Sequence, residues 1–420
     1  MKTGCAGEAG HGQRERVFRA PVLRLDGEIL SRCPERLRFL NRRAYAFDLL
    51  ERSLFCDAES GDTAMRSDMS DDQRALTVND ATLPVIDLSG LFSGDPDDTA
   101  AVAAALGQAA RTSGFFYITG HGVPQDRIDA MFAASKAFHE KPRSFKMKYW
   151  SGFTTNHRGY VPFEENGADF PKSINLNEAW DMSYEAPADH PDYLAEWRMT
   201  GPNVWPDIPG WQDTVAGYYD AVFNLGLRLL DALALELGVE TEELTRHITY
   251  PTSQLRMLRY IENDLPATKE IVGIASHSDF ECFTILLQGG PGLQVMNAED
   301  VWIEAPPIPG CFIVNIGDIF ETWSGGQFKS TQHRVVNIGK ERYSFPLFFG
   351  LDYHAVVEPL TKYRTPETLE KYPPMKAGEH LMRMSINAFR YMADAKAKGE
   401  LVPDFEVPEE NPFKREARQP

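Results

Sequence analysis

The sequence is poor in cysteine and has no long hydrophobic run. Its five cysteines are an odd number with no C-x-x-C pair, so neither a disulfide framework nor a zinc-finger spacing is present. No apolar stretch is long enough to cross a bilayer, and no compact apolar segment with a small-residue cleavage site marks a secretory signal. We therefore expect a cytoplasmic protein in a reducing environment, without a membrane partner.

Positive charge is also scarce. The 420 residues include 43 Lys and Arg against 61 Asp and Glu, which gives a formal net charge of −18. Nucleic acids and anionic membrane surfaces both require a positive footprint, so this balance argues against them as partners. The length allows one large or two modest domains with a sizeable core. Nothing in the sequence indicates an oligomeric state.

The first 68 residues differ from the rest in composition. They are rich in arginine and contain three of the five cysteines. One hypothesis is that the natural start is Met69 or Met65 and that the preceding stretch is a start-site artefact. The other is a disordered or weakly helical regulatory extension, with a short amphipathic helix over residues 34–55. The sequence leaves both open.

The most informative motif is His277-Ser278-Asp279, followed 56 residues later by His333. In an extended strand alternate side chains share a face, so His277 and Asp279 are expected to point the same way. The flanking segments are apolar and rich in β-formers, as is the segment around His333. Two histidines and one carboxylate leave open metal positions, which is typical of non-haem Fe(II) oxygenases.

A second pair, Arg342 and Ser344, also lies two residues apart in a segment that resembles a strand. The two side chains are therefore expected to share a face. A planar guanidinium beside a hydroxyl is well suited to bind the far carboxylate of a dicarboxylic co-substrate. The sequence thus predicts an anion site close to the metal site.

Further motifs accompany these residues in a fixed order. They cover residues 83–89, 114–124 (GFFYITGHGVP), 158–162 (RGYVP), 255–260, 292–295, 314–318 and 333–335. Together they resemble the isopenicillin N synthase-like branch of the 2-oxoglutarate/Fe(II)-dependent dioxygenases, over roughly residues 80–395. The combination is specific for the family and says little about the substrate.

The resemblance implies roles for individual residues. His277, Asp279 and His333 would bind Fe(II), and 2-oxoglutarate would chelate the metal through its keto acid end. Arg342 and Ser344 would bind its distal carboxylate. Tyr260 would reach the same carboxylate, or it is a core tyrosine with a satisfied hydroxyl. The implied reaction uses O₂ to hydroxylate or desaturate a small molecule, with release of succinate and CO₂.

We predict an α+β, mainly β fold, with a double-stranded β-helix (jelly roll) core flanked by helices. Short strands between turns fill residues 254–357, whereas 143–210 resemble long loops with short strands. Helices are predicted at 97–112, 124–141, 211–237 and 379–398. The predicted regions are 1–68 (extension), 80–200 (N-terminal dioxygenase region), 250–357 (jelly-roll core) and 379–420 (C-terminal helix and tail).

Three alternative functions remain open on the sequence. One is an ethylene- and succinate-forming enzyme, which residues 169–171 weakly favour and Phe280-Glu281 after the aspartate disfavours. Another is an oxidase of the isopenicillin N synthase kind, which uses no 2-oxoglutarate. The last, a non-catalytic binding protein on an oxygenase scaffold, conflicts with an intact ligand triad. Phe280, Phe283 and Phe348 are expected either to line the substrate pocket or to belong to the core.

Overall fold

A computed structural model describes residues 83–166, 174–268, 271–408 and 411–415. The predictions for residues 1–68 and for residues 169–171 therefore lie outside the described residues. None of the described helices is both long enough and apolar enough to span a membrane.

Two β-sheets form the centre of the described chain. The strands are β1 (Val85–Asp87), β2 (Phe115–Thr119), β3 (Gly159–Val161), β4 (Ile174–Asn175), β5 (Asn177–Ser183), β6 (Gln254–Tyr260), β7 (Ile271–Val272), β8 (Ile274–His277), β9 (Phe283–Gln288), β10 (Leu293–Met296), β11 (Trp302–Glu304), β12 (Phe312–Ile316), β13 (His333–Val335), β14 (Arg342–Phe349), β15 (Val356–Val357) and β16 (Met375–Lys376). The large sheet has the order β1-β2-β12-β9-β14-β6-β5-β3, and the small sheet the order β11-β10-β13-β8. The pairs β15-β16 and β4-β7 each form a separate two-stranded sheet. The predicted jelly-roll core flanked by helices is confirmed.

Helices flank this core. They are α1 (Pro96–Thr112), α2 (Gln125–His139), α3 (Arg143–Lys146), α4 (Pro191–Leu194), α5 (Trp211–Leu237), α6 (Thr241–Thr245), α7 (Asp318–Trp323), α8 (Pro366–Lys371), α9 (Ala377–Ala388) and α10 (Arg390–Lys398). Single 3₁₀ turns occur at Ser89–Phe92, Met147–Tyr149, Ser151–Phe153, Phe163–Glu165 and Thr361–Tyr363.

The helix α5 packs against the outer face of the large sheet. It has the predicted bounds because apolar residues recur at helical spacing until Gly238, whose φ of 65° ends it in the left-handed region. Gly226 faces Phe349 of β14, where a Cβ would lie 2.4 Å from a ring carbon. A glycine is therefore required for this close approach of helix and sheet.

Alternation along β6 and β14 gives the large sheet two different faces. The outer face carries Leu255, Met257, Phe345, Leu347 and Phe349, which join the core shared with the helices. The inner face, which looks toward the small sheet, carries Gln254, Arg256, Leu258 and Tyr260 from β6 and Arg342, Ser344, Pro346 and Phe348 from β14. The period of two thus separates core residues from residues that line the interior.

The segment predicted as long loops with short strands contains β5, a fully buried strand that pairs with β6 along its whole length. Two predicted elements differ from the structure. The region predicted as all-β contains the buried helix α7, which begins at Asp318. The single helix predicted over residues 379–398 is broken at Phe389, which adopts extended φ and ψ angles of −116° and 122°.

Candidate metal and co-substrate site

The small sheet brings the three predicted metal ligands together. His333 begins β13 and lies directly opposite His277, the last residue of β8, in antiparallel register. Asp279 lies two residues beyond the end of β8, so it is not on the strand as the alternation argument assumed. One ligand atom from each of the three residues lies within 4.8 Å of the others. In the described part of the chain, this is the only group of three such side chains with that spacing.

The two imidazoles are oriented by backbone carbonyls. His277 Nδ1–H donates to Ala275 O at 2.8 Å, and His333 Nδ1–H donates to Thr331 O at 3.3 Å. A carbonyl only accepts, so in both rings Nδ1 carries a proton and Nε2 is the atom that can bind a metal. These Nε2 atoms lie 3.6 and 3.5 Å from Asp279 Oδ1. The rings therefore present their Nε2 atoms to the carboxylate side.

The other carboxylate oxygen of Asp279 is held by two neighbouring strands. Asn315 Nδ2 donates to Asp279 Oδ2 at 2.7 Å, and Thr284 Oγ1 donates to the same atom at 2.5 Å. Burial alone would raise the pKa of Asp279, but the two histidines and these hydrogen bonds lower it below its ordinary value. Asp279 is thus ionised, with Oδ1 left toward the imidazoles.

His277 is held in its neutral form. Burial, followed by the neighbouring His333, lowers its pKa well below the ordinary range. A neutral imidazole and an ionised carboxylate are the forms that bind a divalent metal. Two nitrogen ligands and one oxygen ligand, all directed to one point at the edge of a cavity, fit Fe(II) and leave further positions for a co-substrate.

The cavity beside this cluster lies between the two sheets. It has about 1110 Å³ of empty space, including the part open to solvent, and its walls are mostly apolar. The small sheet contributes Ile274, Leu293 and Val335, whereas the large sheet contributes the inner faces of β6 and β14. All six predicted site residues line it.

Arg342, Ser344 and Tyr260 lie together in the large sheet. Arg342 pairs in register with Tyr260, and its guanidinium carbon lies 4.0 Å from the centre of the tyrosine ring. Its Nη1 donates to the carbonyls of Gly290 and Pro291 at 2.9 and 2.5 Å, while Nε is buried and has no partner. No described carboxylate forms an ion pair with Arg342. A buried cation without a counter-charge is a good anion site.

The three phenylalanines singled out in the sequence divide between the two alternatives. Phe280 and Phe348 line the cavity, whereas Phe283 is fully buried in the core and stacks on Phe349. Phe389, where α9 gives way to α10, also lines the cavity. Sequence reasoning missed this residue because its helical spacing suggested an unbroken helix.

Several polar residues near the cluster were also missed. Glu281 lines the cavity, and its burial, followed by the charge of Asp279, raises its pKa to about 8. For Asn315 and Thr284, the only indication in the sequence was that each lies in a segment predicted as a strand. The tail residue Asn411, 133 residues from Ser278 in sequence, donates to its hydroxyl. No local pattern in the sequence marks such a distant partner.

Two family models match the chain. Residues 83–208 match the N-terminal region named for a non-haem dioxygenase in morphine synthesis, and residues 252–351 match the 2OG-Fe(II) oxygenase superfamily. The second match contains all three members of the metal cluster, as well as Tyr260, Arg342 and Ser344.

Curated relatives cover most of the chain. Kihadalactone A synthase of Citrus sinensis is 32% identical over 330 residues, which is 76% of this chain and 96% of the relative. A 2-oxoglutarate-Fe(II) type oxidoreductase of Emericella nidulans is 32% identical over 300 residues, which is 70% of this chain and 86% of the relative. Both alignments span most of the relative.

Solved structures agree in fold. A 2OG-Fe(II) oxygenase family protein from Caulobacter crescentus is 30% identical with a TM-score of 0.63, covering 72% of this chain and 98% of that one. A full-length Neurospora crassa protein, solved in complex with alpha-KG and thymine, is 25% identical with a TM-score of 0.62, covering 74% and 99%.

Proposed function

Because the chain belongs to the 2-oxoglutarate- and Fe(II)-dependent oxygenase superfamily, we propose that His277, Asp279 and His333 bind its Fe(II). The protein is a dioxygenase that acts on a small molecule with 2-oxoglutarate and O₂ as co-substrates. The observation that carries the assignment of ligands is the convergence of two imidazole nitrogens and one carboxylate oxygen within 4.8 Å of one another.

When bound, iron with 2-oxoglutarate and O₂ supplies the oxidation of a substrate C–H bond, with release of succinate and CO₂. The chain's own residues bind the reacting groups, orient them and shield them from water. The backbone carbonyls of Ala275 and Thr331 fix the imidazole tautomers, and Asn315 and Thr284 fix the carboxylate. The apolar walls of the cavity limit the access of water to the reacting groups.

We further propose that Arg342 binds the distal carboxylate of 2-oxoglutarate, with a hydrogen bond from Ser344. The buried, uncompensated charge of Arg342 supports this role, as does its place in the same cavity as the metal cluster. Tyr260 holds the guanidinium in position through its ring. The reaction that we propose is hydroxylation or desaturation.

The experiment that tests this function measures products. Protein loaded anaerobically with Fe(II) receives O₂ and 2-oxoglutarate with a panel of small molecules, and succinate and headspace ethylene are quantified. We expect succinate without ethylene, and no turnover by His277→Ala. The control is His354→Ala, because His354 is an exposed histidine that contacts Asp192 outside the cavity. Abundant ethylene would support the ethylene-forming alternative, and an absence of succinate with every compound would refute the proposal.

We also propose a cytoplasmic location and no nucleic-acid or membrane partner. Cys282 and Cys311 are free thiols, as expected in a reducing compartment. The net charge of −18 opposes binding to polyanionic surfaces.

A further inference from the structure

One wall of the cavity carries two hydrogen-bond donors side by side. Gln254 and Arg256 are two residues apart on β6, so their side chains share a face, and both line the cavity. Gln254 Nε2 is buried and has no hydrogen-bond partner. Buried polar atoms are nearly always paired, because an unpaired one keeps the full cost of its desolvation. Gln254 therefore indicates that a bound molecule supplies an oxygen acceptor here.

This pair of donors lies at the metal end of the cavity. Gln254 lies opposite Phe348 of β14, which lies opposite Thr284 of β9. The hydroxyl of Thr284 donates to Asp279 of the metal cluster. Tyr260, which belongs to the proposed co-substrate site, lies six residues farther along β6, about 20 Å in an extended strand. The acceptor at Gln254 thus belongs to the substrate, and the distal carboxylate of 2-oxoglutarate has a separate site.

The guanidinium of Arg256 has N–H groups left for a ligand. Its Nη1 lies 3.1 Å from Asp181 Oδ2, and its Nη2 donates to Asn166 Oδ1. The Phe389 ring packs on it at 5.0 Å. A guanidinium carries more N–H groups than these two contacts use. An oxygen that accepts from Gln254 therefore has a cation beside it.

Positive charge exceeds negative charge among the buried groups around Asp181. Besides Arg256, this cluster contains the buried Arg158, which donates to backbone carbonyls and forms no ion pair with a described carboxylate. Burial lowers the pKa of Arg158 to about 10, against the effect of Asp181 and of the exposed Glu185, so Arg158 stays charged at neutral pH. His157, whose Nε2 lies 3.0 Å from Asp181, is uncharged because burial lowers its pKa. One buried carboxylate thus serves two buried guanidinium groups.

The carboxyl groups on the described wall of the cavity do not balance this excess. They are Asp279, which we assign to Fe(II), and Glu281 beside it, which accepts from the backbone N–H of Phe280 at 3.1 Å. The charge of the metal balances these groups. Arg342, the other arginine of the wall, is assigned to 2-oxoglutarate. The counter-charge that Arg256 lacks therefore has to come from the substrate.

We propose that the substrate is a carboxylic acid with an apolar body, whose carboxylate accepts from Gln254 and is balanced by Arg256. Gln254 alone would accept a neutral amide equally well, but only an anion gains the charge-assisted interaction with the guanidinium. The apolar body packs among Phe280, Leu381 and Phe389, which line the same end of the cavity. This inference rests on the proposed function of the cavity and names the substrate class for it.

Matched probes test the proposal without requiring turnover. The full chain, loaded anaerobically with Fe(II) and 2-oxoglutarate, is dialysed against 3-phenylpropionate or 3-phenylpropionamide, and likewise against cyclohexanecarboxylate or cyclohexanecarboxamide. We expect each acid to bind at least about tenfold more tightly than its amide. Amides that bind as tightly as their acids, or acids that do not bind, would overturn the proposal. Retained iron and 2-oxoglutarate, measured in the same samples, separate this failure from a failure of the proposed function.

Three substitutions separate the charge from the hydrogen bond. Arg256→Gln removes the charge, so the acid should bind about tenfold more weakly while its amide binds as before. Gln254→Leu removes the donor, so acid and amide should both bind at least about threefold more weakly. Asp181→Asn removes the competing anion, so the acid should bind at least about threefold more tightly and the amide as before.

The control for Arg256→Gln is Arg364→Gln, because Arg364 is an exposed arginine that pairs with Glu358 at 2.5 Å outside the cavity. It should leave the affinity for both probes unchanged. An acid that keeps its preference in Arg256→Gln binds through another cation, and the proposal would fail. If Arg256→Gln does not fold, Asp181→Asn and Gln254→Leu decide: unchanged or weaker binding of the acid in the first, or unchanged binding of both probes in the second, would overturn it.

Discussion

Asn411 donates a hydrogen bond to the hydroxyl of Ser278, the residue between His277 and Asp279, at 2.9 Å. The same Nδ2 lies 3.2 Å from Asp318 Oδ2, and the backbone N–H of Asp318 donates to Asp279 O at 2.9 Å. The described tail residues 411–415 therefore contact the back of the metal cluster. This contact couples a distant segment to the position of the ligands.

The tail contact predicts a loss of metal affinity in Asn411→Ala. Without the amide, Ser278 and Asp318 lose a shared donor, so the segment that carries His277 and Asp279 is held less firmly. We expect Fe(II) affinity to decrease by up to about tenfold, the lower end of the effect of outer hydrogen bonds at metal sites. Anaerobic titration with Fe(II) measures it. Asn224→Ala, an exposed helix amide that donates to Asp220 O, is the control; a similar loss there would refute the role of the tail.

A larger effect is expected from the two residues that hold Asp279. Asn315→Leu and Thr284→Val each remove one hydrogen bond to Oδ2 and keep the branching of the side chain. We predict that each lowers Fe(II) affinity by about 10- to 100-fold, because partners of a ligating carboxylate fix its orientation. Thr214→Val, in the first turn of α5 where the hydroxyl donates to Gly210 O, should bind iron like the wild type. Unchanged iron affinity in both variants would mean that Asp279 does not need these hydrogen bonds to keep its orientation.

Arg342 and Ser344 should affect the co-substrate and leave the metal in place. Arg342→Lys replaces a planar fork by a point charge, so we expect KM for 2-oxoglutarate to rise more than about tenfold. Ser344→Ala removes one hydrogen bond, about 1 kcal/mol, and should raise KM about fivefold. Succinate release at varied 2-oxoglutarate measures both values, with anaerobic Fe(II) titration as the control. A wild-type KM in Arg342→Lys would show that the carboxylate binds elsewhere.

Local patterns predicted much of this fold. The bounds of α5 follow from apolar periodicity, since this helix has one face in the core. The metal cluster was also predictable in composition, because a His-x-Asp pair and a later histidine already define a donor set. Periodicity does not predict how the strands and helices are arranged around these three ligands, and the structure shows that arrangement.

The features that a local pattern does not show depend on distant partners. β5 carries the polar residues Asn177, Glu178 and Asp181, and each is buried against a partner elsewhere in the chain. Phe389, at the break between α9 and α10, lines a cavity whose other walls come from distant strands. Asn411 belongs to a segment predicted as a tail and meets the site only after folding. Such pairings are tertiary, so a single sequence does not record them.

Acid sensitivity of folding can be assigned in part to one histidine. His139 is fully buried on α2; its Nδ1–H donates to Ser135 O, and its Nε2 has no partner. Burial lowers its pKa to about 4, whereas the unfolded chain has an ordinary value near 6.5. The unfolded state therefore binds more protons between these values, so the free energy of unfolding falls as the pH decreases through this range.

We predict that His139 contributes about 1 kcal/mol to the loss of stability between about pH 7.5 and pH 5.5. His139→Gln removes the titrating group and should lose about 1 kcal/mol less than the wild type over this interval. Urea unfolding of metal-free protein at both pH values measures the difference. Lys136→Gln, an exposed change of charge on the same helix, controls for net charge. If His139→Gln lost as much stability on acidification as the wild type, the histidine would already be protonated in the folded state, and its burial would not set the acid limit of this fold.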